Sequence, residues 1–256
     1  MTERIVYIWR VFAKWLSFGI FGVGTILLVT GAFPVMRLFL HPRSRFQKKA
    51  RVLVSLCFRF FIGIMTILGI VELSAGDKSA YRNLHGKIVA ANHPSLLDVV
   101  MLISLIPNAD CIVRSDLSKT IMKGIIRQLY IPNDLSFEQV VSDCTVSLNE
   151  GNCIIIFPEG SRTPRTGNPV YKKGAVRISL ASRCGIVPVR IGGTDKYGLG
   201  KKDPWAAFNP HEKYIYRLSI KTELSPEKYL AEGIVLGVKH YSQELQQVLT
   251  LPEVTL

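Results

Sequence analysis

The sequence predicts an α/β fold: a mixed, largely parallel sheet flanked by helices, preceded by an N-terminal two-helix membrane anchor. Three observations lead there. Between residues 15 and 36 no side chain is charged, a run that a helix rising ~1.5 Å per residue can lay across a ~30 Å hydrocarbon core. From residue 76 onward, short apolar runs alternate with longer segments of helical periodicity, the pattern of strands and helices layered in one domain. Of the 256 residues, 48% are hydrophobic and only 20% charged, a membrane-leaning balance for this length. The expected division is 1–72 for the membrane-associated helices and 73–256 for the α/β domain.

The elements follow in order. The first apolar helix covers 15–36, with Gly19, Gly22, Gly24 and Gly31 making it easy to bend or pack. A second apolar stretch, 52–71, is interrupted by Arg59, which is expected to snorkel toward lipid headgroups. Residues 87–91 read as a short buried strand, and 95–106 as a helix ended by Pro107. A strand at 111–114 and a helix at 117–130 come next. The segment 136–149 is helical and stops at Gly151, and 153–157 is a strongly apolar strand. A basic-faced helix over 173–184, a strand over 186–191 and an alternating strand over 214–222 complete the sheet. Ser225-Pro226-Glu227 is a helix-start signal, and the last helix spans about 235–249, to within ~2–4 residues.

The net charge of +13 is concentrated in two places. Residues 1–59 carry ten Lys/Arg and one acid, Glu3. Residues 160–194 carry seven basic side chains, Arg162, Arg165, Lys172, Lys173, Arg177, Arg183 and Arg190, and no acid. A nucleic-acid partner is not expected, since the basic residues form no stripe with interleaved aromatics. The N-terminal charges lie on both sides of the first apolar run, so two full spans with both ends inside would violate the positive-inside tendency. Either the first segment spans with its N-terminus outside, or both segments dip into one leaflet and leave their basic residues on anionic headgroups. The five cysteines are odd in number and scattered, without Cys-x-x-Cys, and the other histidines are isolated. Neither a disulfide framework nor a metal site is expected.

Two blocks carry chemistry. The first is Asn92-His93-Pro94-Ser95-Leu96-Leu97-Asp98, placed after a strand, where sites sit in α/β folds. Positions five apart do not share a helix face, so His93 must precede the helix and Asp98 must lie in its first turns. A chain reversal there brings the carboxylate to the imidazole, where it fixes the tautomer and stabilises the imidazolium of a general base. The second is Phe157-Pro158-Glu159-Gly160-Ser161-Arg162-Thr163-Pro164. Gly160 permits a tight turn whose amides approach an anion, and Arg162 can grip a phosphate in two places. Arg165, Lys172 and Lys173 add positive field. Glu159 is expected to orient Arg162 or accept from a substrate hydroxyl.

In this order, the two blocks resemble the paired signatures of the glycerolipid acyltransferases, the family of the lysophosphatidic acid acyltransferases. The resemblance covers roughly residues 60–200, with the anchor helices a looser match. It implies His93 as base with Asp98 as its partner, and phosphate binding of the acceptor by Glu159, Gly160, Ser161 and Arg162. Lys172, Lys173 and Gly174 match a Lys-Gly element, Arg114 matches a basic residue on the strand after the first block, and Pro188 in Ile186-Val187-Pro188-Val189 has a structural or acyl-chain-facing role. Where the family carries an arginine after the following helix, this chain reads Tyr130-Ile131-Pro132-Asn133-Asp134, with Lys123 or Arg127 as substitutes.

The resemblance implies an O-acyltransferase at the cytoplasmic face of the inner membrane, with no bound cofactor. Acyl-CoA or acyl-ACP (acyl carrier protein) is the expected donor. A lysophospholipid, foremost 1-acyl-sn-glycerol-3-phosphate, is the expected acceptor. The missing arginine keeps open the same chemistry on another acceptor, a lyso-ornithine lipid or an aryl polyene-type lipid. A non-catalytic lipid-binding membrane protein is the reading from a different class.

Overall fold

The structure, a computed structural model, describes residues 2–113, 129–133 and 135–250. Helix α1 (Thr2–Leu27) runs through a single π turn (Leu28–Ala32) into α2 (Phe33–Phe39). The ladder widens there because Pro34, in the first turn of α2, has no N–H for the carbonyl a turn behind it. Helix α3 (Arg43–Ile67) then returns antiparallel to α1. Trp9 Nε1 donates to the Leu68 carbonyl (3.0 Å), the Phe21 ring lies 5.9 and 5.1 Å from those of Phe58 and Phe61, and Phe33 meets Phe46 at 6.0 Å.

Both arms of this hairpin are long and apolar enough to cross a membrane, but they are used differently. The apolar window of the first arm is 11% buried and that of α3 39%. So α1 leans on α3 and leaves Ile5, Ile8, Phe12, Trp15, Val23 and Leu27 exposed, while α3 roofs the domain. Arg59 is exposed, with one guanidinium nitrogen turned back to the domain. Its Nη2 donates to the Ser104 carbonyl (3.2 Å), in the last turn of α5 (Asp98–Leu105), where the helix dipole favours a cation. The helix stops at Ile67, and Gly69 (φ +72°) turns the chain into β1 (Val71–Ser74). That strand is an edge of the sheet, so the layered domain starts just inside the segment assigned to the anchor. Its Val-Glu-Leu-Ser continues the apolar run of α3, and periodicity alone could not mark the change.

Among the described residues the sheet has seven strands. After β1 and the short α4 (Lys78–Arg82) come β2 (Ile88–Ala91), α5 and β3 (Ala109–Val113). The two-residue β4 (Ile131–Pro132), α6 (Phe137–Asn149), β5 (Cys153–Ile156), α7 (Gly174–Ser182) and β6 (Ile186–Gly193) follow. Then come β7 (Tyr214–Ile220), a four-residue α8 (Glu227–Leu230) and α9 (Ile234–Thr250). The order is β1-β7-β6-β2-β5-β3-β4. The five strands β6, β2, β5, β3 and β4 are parallel, β7 is antiparallel to β6, and β1 is parallel to β7. The helix expected over 117–130 lies outside the described residues except for its last two positions.

Strands β2 and β5 are buried at every position, as parallel strands covered on both faces must be. Alternation divides their side chains between two cores. Val89, Ala91 and Ile155 join Met101 and Leu102 of α5 and Phe46, Val54 and Met65 of α3. Ile88, Ala90 and Ile154 join Cys144 of α6, Ile178 of α7 and Tyr241 and Leu245 of α9. The C-terminal ends of the parallel strands are left clear of both helical layers, and both sequence blocks emerge there.

Candidate active site

Asn92, one residue past β2, acts as a surrogate backbone unit. Its amide donates to the Ile191 carbonyl (2.9 Å) and its Oδ1 accepts from the Ile191 N–H (2.7 Å), which anchors the chain to β6 at the moment it leaves the sheet. The reversal that the five-residue spacing demands is built by Ser95. Its N–H donates to Asp98 Oδ2 (2.7 Å) and its hydroxyl to Asp98 Oδ1 (2.6 Å). This is the reach-back of a capping box, set one turn ahead of α5. It turns the Asp98 carboxylate toward the preceding loop, where Oδ2 meets His93 Nδ1 at 2.8 Å.

The bonding fixes the proton positions. A carboxylate only accepts, so His93 Nδ1 carries a hydrogen, and in the neutral ring Nε2 holds the lone pair. Asp98 is fully buried, and the His93 side chain is 18% exposed. Behind them Ser95 Oγ already donates to Asp98, so the Tyr216 hydroxyl must donate to Ser95 (2.7 Å). Tyr216 is fully buried, and burial, aided by the Asp98 charge, pushes its pKa well above the ordinary phenol value. It therefore keeps its proton. The file Tyr216–Ser95–Asp98–His93 ends at the one partly open imidazole edge.

The second block locks onto the first. Glu159 Oε1 accepts from the His93 N–H (2.9 Å) and the Thr163 hydroxyl (2.8 Å), and the Thr163 N–H donates to the His93 carbonyl (2.7 Å). The Phe157 ring stacks on the imidazole, centroids 4.2 Å apart at 24°. Glu159 thus braces the His93 loop. It does not orient Arg162, because its carboxylate is turned inward and buried. Burial raises its pKa, partly offset by the bonds from His93 and Thr163, and its Oε2 has no partner among the described residues. Gly160 is required by its conformation (φ +65°); a Cβ there would stand 2.8 Å from Lys172 Nζ, the movable end of an exposed side chain.

The acid-free basic stretch does not form one anion-binding patch. Arg165 lies between Asp203, bonded at 2.5 and 2.7 Å, and Asp195 at 3.0 and 3.1 Å. Arg190 donates to the Leu249 carbonyl (2.9 Å), and Arg177 covers the Phe137 ring (5.5 Å). The neutralising groups lie just past the stretch or far along the chain, so counting charges within a window missed them. Burial opposes the charge on Asp203, but Arg165 and the Gly198 and Gly200 amides outweigh it and hold the carboxyl below its usual range. Arg162 is half-buried, and its Nη1 donates to the Leu199 (2.9 Å) and Gly200 (2.8 Å) carbonyls. Ser161 Oγ accepts from Lys201 (3.1 Å). Lys172 and Lys173 are exposed, the latter at the start of α7. Pro188 is buried on β6 opposite Ala90, so alternation places it with Ile186 toward α6, α7 and α9, away from the apolar hairpin. Arg114, Lys123 and Arg127 lie outside the described residues. Asn133 follows β4, its N–H bonded to the Val113 carbonyl (3.0 Å) at the same end of the sheet as His93.

A cavity of about 120 Å³ adjoins the two loops, lined by Leu96 and Arg162, by Phe18 of α1, and by Lys202, Asp203 and Trp205. Helix α1 is fastened there: Lys14, fully buried, donates to the Trp205 carbonyl (2.6 Å), and Trp15 stacks on Trp205. Burial pushes the thiols of Cys111 and Cys153 in the sheet up to about 12 and about 11, and that of Cys144 on α6 up to about 12, so none of the three is an activated nucleophile. Asn92, Ser95, Thr163 and Tyr216 carried no assigned role in the sequence. Ser95 could have been found from its three-residue spacing to Asp98. Nothing local marks Tyr216, which is 121 residues from Ser95.

Residues 75–192 match the family model described as Acyltransferase. The 1-acyl-sn-glycerol-3-phosphate acyltransferase of Cocos nucifera is 29% identical over 118 residues, 42% of this chain and 37% of that protein. The chloroplastic 1-acyl-sn-glycerol-3-phosphate acyltransferase of Arabidopsis thaliana is 26% identical over 186 residues, 70% of this chain and 50% of that protein. The chain therefore spans half or less of the length of these two relatives. The crystal structure of the 1-acyl-sn-glycerophosphate (LPA) acyltransferase PlsC from Thermotoga maritima superposes with a TM-score of 0.67 at 20% identity, covering 93% of this chain and 97% of that one, so the fold is shared from the apolar hairpin through the sheet. Residues 75–192 thus match an acyltransferase family model, and the chain is similar in sequence to 1-acyl-sn-glycerol-3-phosphate acyltransferases and in fold to PlsC.

Proposed function

We propose that this chain is a membrane-associated O-acyltransferase. It moves a fatty acyl group from a thioester, carried by coenzyme A or acyl carrier protein, to the hydroxyl of a lysophospholipid, foremost 1-acyl-sn-glycerol-3-phosphate. The observation that carries the proposal is the His93–Asp98 pair, with Nδ1 protonated toward a buried carboxylate and Nε2 at the open edge. The acceptor hydroxyl gives its proton to Nε2 as its oxygen attacks the thioester carbonyl. The resulting imidazolium is stabilised by Asp98, itself held by Ser95 and Tyr216. Collapse of the tetrahedral adduct breaks the C–S bond, and the proton passes from Nε2 to the departing sulfur. No acyl-enzyme is needed.

Arg162 engages the protein through Nη1. Its other donors, with Lys202 in the same cavity, supply the charge for the acceptor's phosphate. The exposed apolar face of α1, fastened to this cavity by Lys14 and Trp15, supports a membrane position in which lipid substrates reach His93 from the leaflet. His93→Ala in the detergent-purified chain is expected to lower acyl transfer by ~10²–10⁴-fold with unchanged circular dichroism. Near-normal turnover in that variant would remove His93 from the role.

A second reading keeps the chemistry and changes the acceptor. It is favoured by the Ile131-Pro132-Asn133 edge, which carries no arginine at the His93 end of the sheet. A panel of lyso-acceptors decides between the two, and preference for lysophosphatidic acid counts against the second.

A further inference from the structure

At the opposite end of the sheet, where the parallel strands begin, lies a second cavity of about 110 Å³. Lys48, Arg51 and Val52 of α3 form one wall. Arg82 and His85 before β2, Pro107 and Asn108 before β3, and Asn152 before β5 form the rest. Lys48, Arg82 and His85 are exposed at its mouth, and Arg51 and Asn152 are buried at its floor. Arg51 is paired with the buried Asp110 through Nη2 (2.9 Å), and Glu150 touches only Asn152 (3.4 Å). Among the described residues no carboxylate pairs with Lys48 or Arg82 at the opening.

Two polar atoms on the lining residues are left unsatisfied in the described structure. Arg51 Nε is a buried donor and Asn108 Oδ1 a buried acceptor, each without a partner. The Asn108 amide orientation is set by its Nδ2, which donates to the Leu84 (3.0 Å) and Gly151 (2.9 Å) carbonyls. The same Nδ2 lies 3.2 Å from His85 Nδ1, which sets the imidazole beside the cavity mouth. Buried polar atoms left unpaired cost enough that they ordinarily find partners. Both atoms belong to residues that line this one cavity, beneath a cationic rim. A phosphate group suits the exposed Lys48 and Arg82 at the rim, and a hydroxyl beside it suits the polar floor that Asn108 and Asn152 form.

The wall gives the source of that phosphate. Val52 begins a line with Leu56 and Phe60, four residues apart on one face of α3 and 39%, 50% and 70% exposed. An apolar ridge thus leads directly out of a cationic cavity. We infer that this cavity is a binding site for the headgroup of an anionic, hydroxyl-bearing phospholipid, distinct from the His93 centre, with an acyl chain laid along Val52, Leu56 and Phe60. A choline headgroup would bring a cation among cations and no donor for Asn108.

The test uses the full chain in detergent and reads binding, not turnover, so its failure leaves the acyl-transfer proposal untouched. Calorimetric titration would compare dihexanoyl-phosphatidylglycerol, dihexanoyl-phosphatidylcholine and inorganic phosphate, on wild type and on Lys48→Ala/Arg82→Ala. Lys48→Gln/Arg82→Gln serves as a second pair if the first lowers the unfolding temperature. Saturable phosphatidylglycerol binding, weakened about tenfold or more in the double variant and about tenfold weaker for phosphatidylcholine, is expected. Unchanged binding in both double variants, or no saturable binding, overturns the site. Inorganic phosphate binding as tightly as the lipid overturns the lipid as its occupant.

Discussion

Glu159 is the sharpest place to separate a brace from a substrate ligand. Replacing it by alanine leaves the His93 N–H and the Thr163 hydroxyl without their shared acceptor. Each orphaned donor costs ~1–3 kcal/mol, and relief of the buried carboxylate offsets part of that, so Glu159→Ala is expected to lose about 1–3 kcal/mol. A His93 loop displaced by ~1 Å would cost roughly 10²-fold in kcat. Glu159→Gln keeps Oε1 for both donors. Its amide nitrogen replaces Oε2, which is already without a partner, so the number of orphans is unchanged while the buried charge is gone. Its stability at neutral pH is expected to lie within about 1 kcal/mol of wild type or above it, with kcat largely retained. Because burial raises the pKa of Glu159 in the fold, the stability from its protonated form is full below the ordinary glutamate value of 4.5 and is lost as pH rises through the folded value. Wild type should therefore lose stability relative to Glu159→Gln across that window. Urea unfolding of the detergent-solubilised chain against pH, with kcat and KM for the acceptor, measures all of this. If Glu159→Gln matches wild type in stability yet raises acceptor KM or loses as much kcat as Glu159→Ala, the carboxylate contacts substrate and the brace is wrong.

Asp98→Asn can keep an oxygen toward His93 and Ser95 N–H while its amide faces the Ser95 hydroxyl, so folding should survive; kcat is expected to fall by roughly 10²-fold or more at similar KM, because the imidazolium loses its counter-charge. Rapid-quench turnover checks it, and wild-type kcat would show that the charge is idle. Tyr216→Phe removes the donor to Ser95 and should cost ~0.5–1.5 kcal/mol in stability, with a few-fold lower kcat and unchanged KM. A KM effect alone would contradict its action through Asp98. Arg51→Ala strands the buried Asp110 and should destabilise by ~3–5 kcal/mol in thermal unfolding, and Asp110→Asn in that background should recover part of the loss. Equal stability of Arg51→Ala and wild type would mean that water reaches Asp110.

Much of the fold could be read along the chain because its signals are local. The runs at Ile88–Ala91, Cys153–Ile156 and Ile186–Gly193 are strands, and Ser136 caps α6 through Gln139 N–H (3.2 Å). What escaped was short or continuous with its neighbours: β1 merged into the apolar run of α3, and the two-residue β4 has no period to detect. The His93–Asp98 spacing carried its own geometry, since five residues forbid a common helix face and force a reversal. Ser95 sat three residues from Asp98 and was legible by the same reasoning.

The sequence by itself determined the local units: an uncharged helix, strands followed by turns, and a histidine and carboxylate that must meet where a strand ends. The tertiary structure decided which charges face each other. It gave Arg165 to Asp195 and Asp203, Arg59 to the end of α5, and Glu159 to the His93 loop, and it brought Tyr216 behind Ser95. The physical reason is range. Helix and turn preferences act over three to five residues, where the chain itself fixes geometry. A salt bridge or buried hydrogen bond depends on distance and burial in space, and these follow only from how the sheet is ordered and covered.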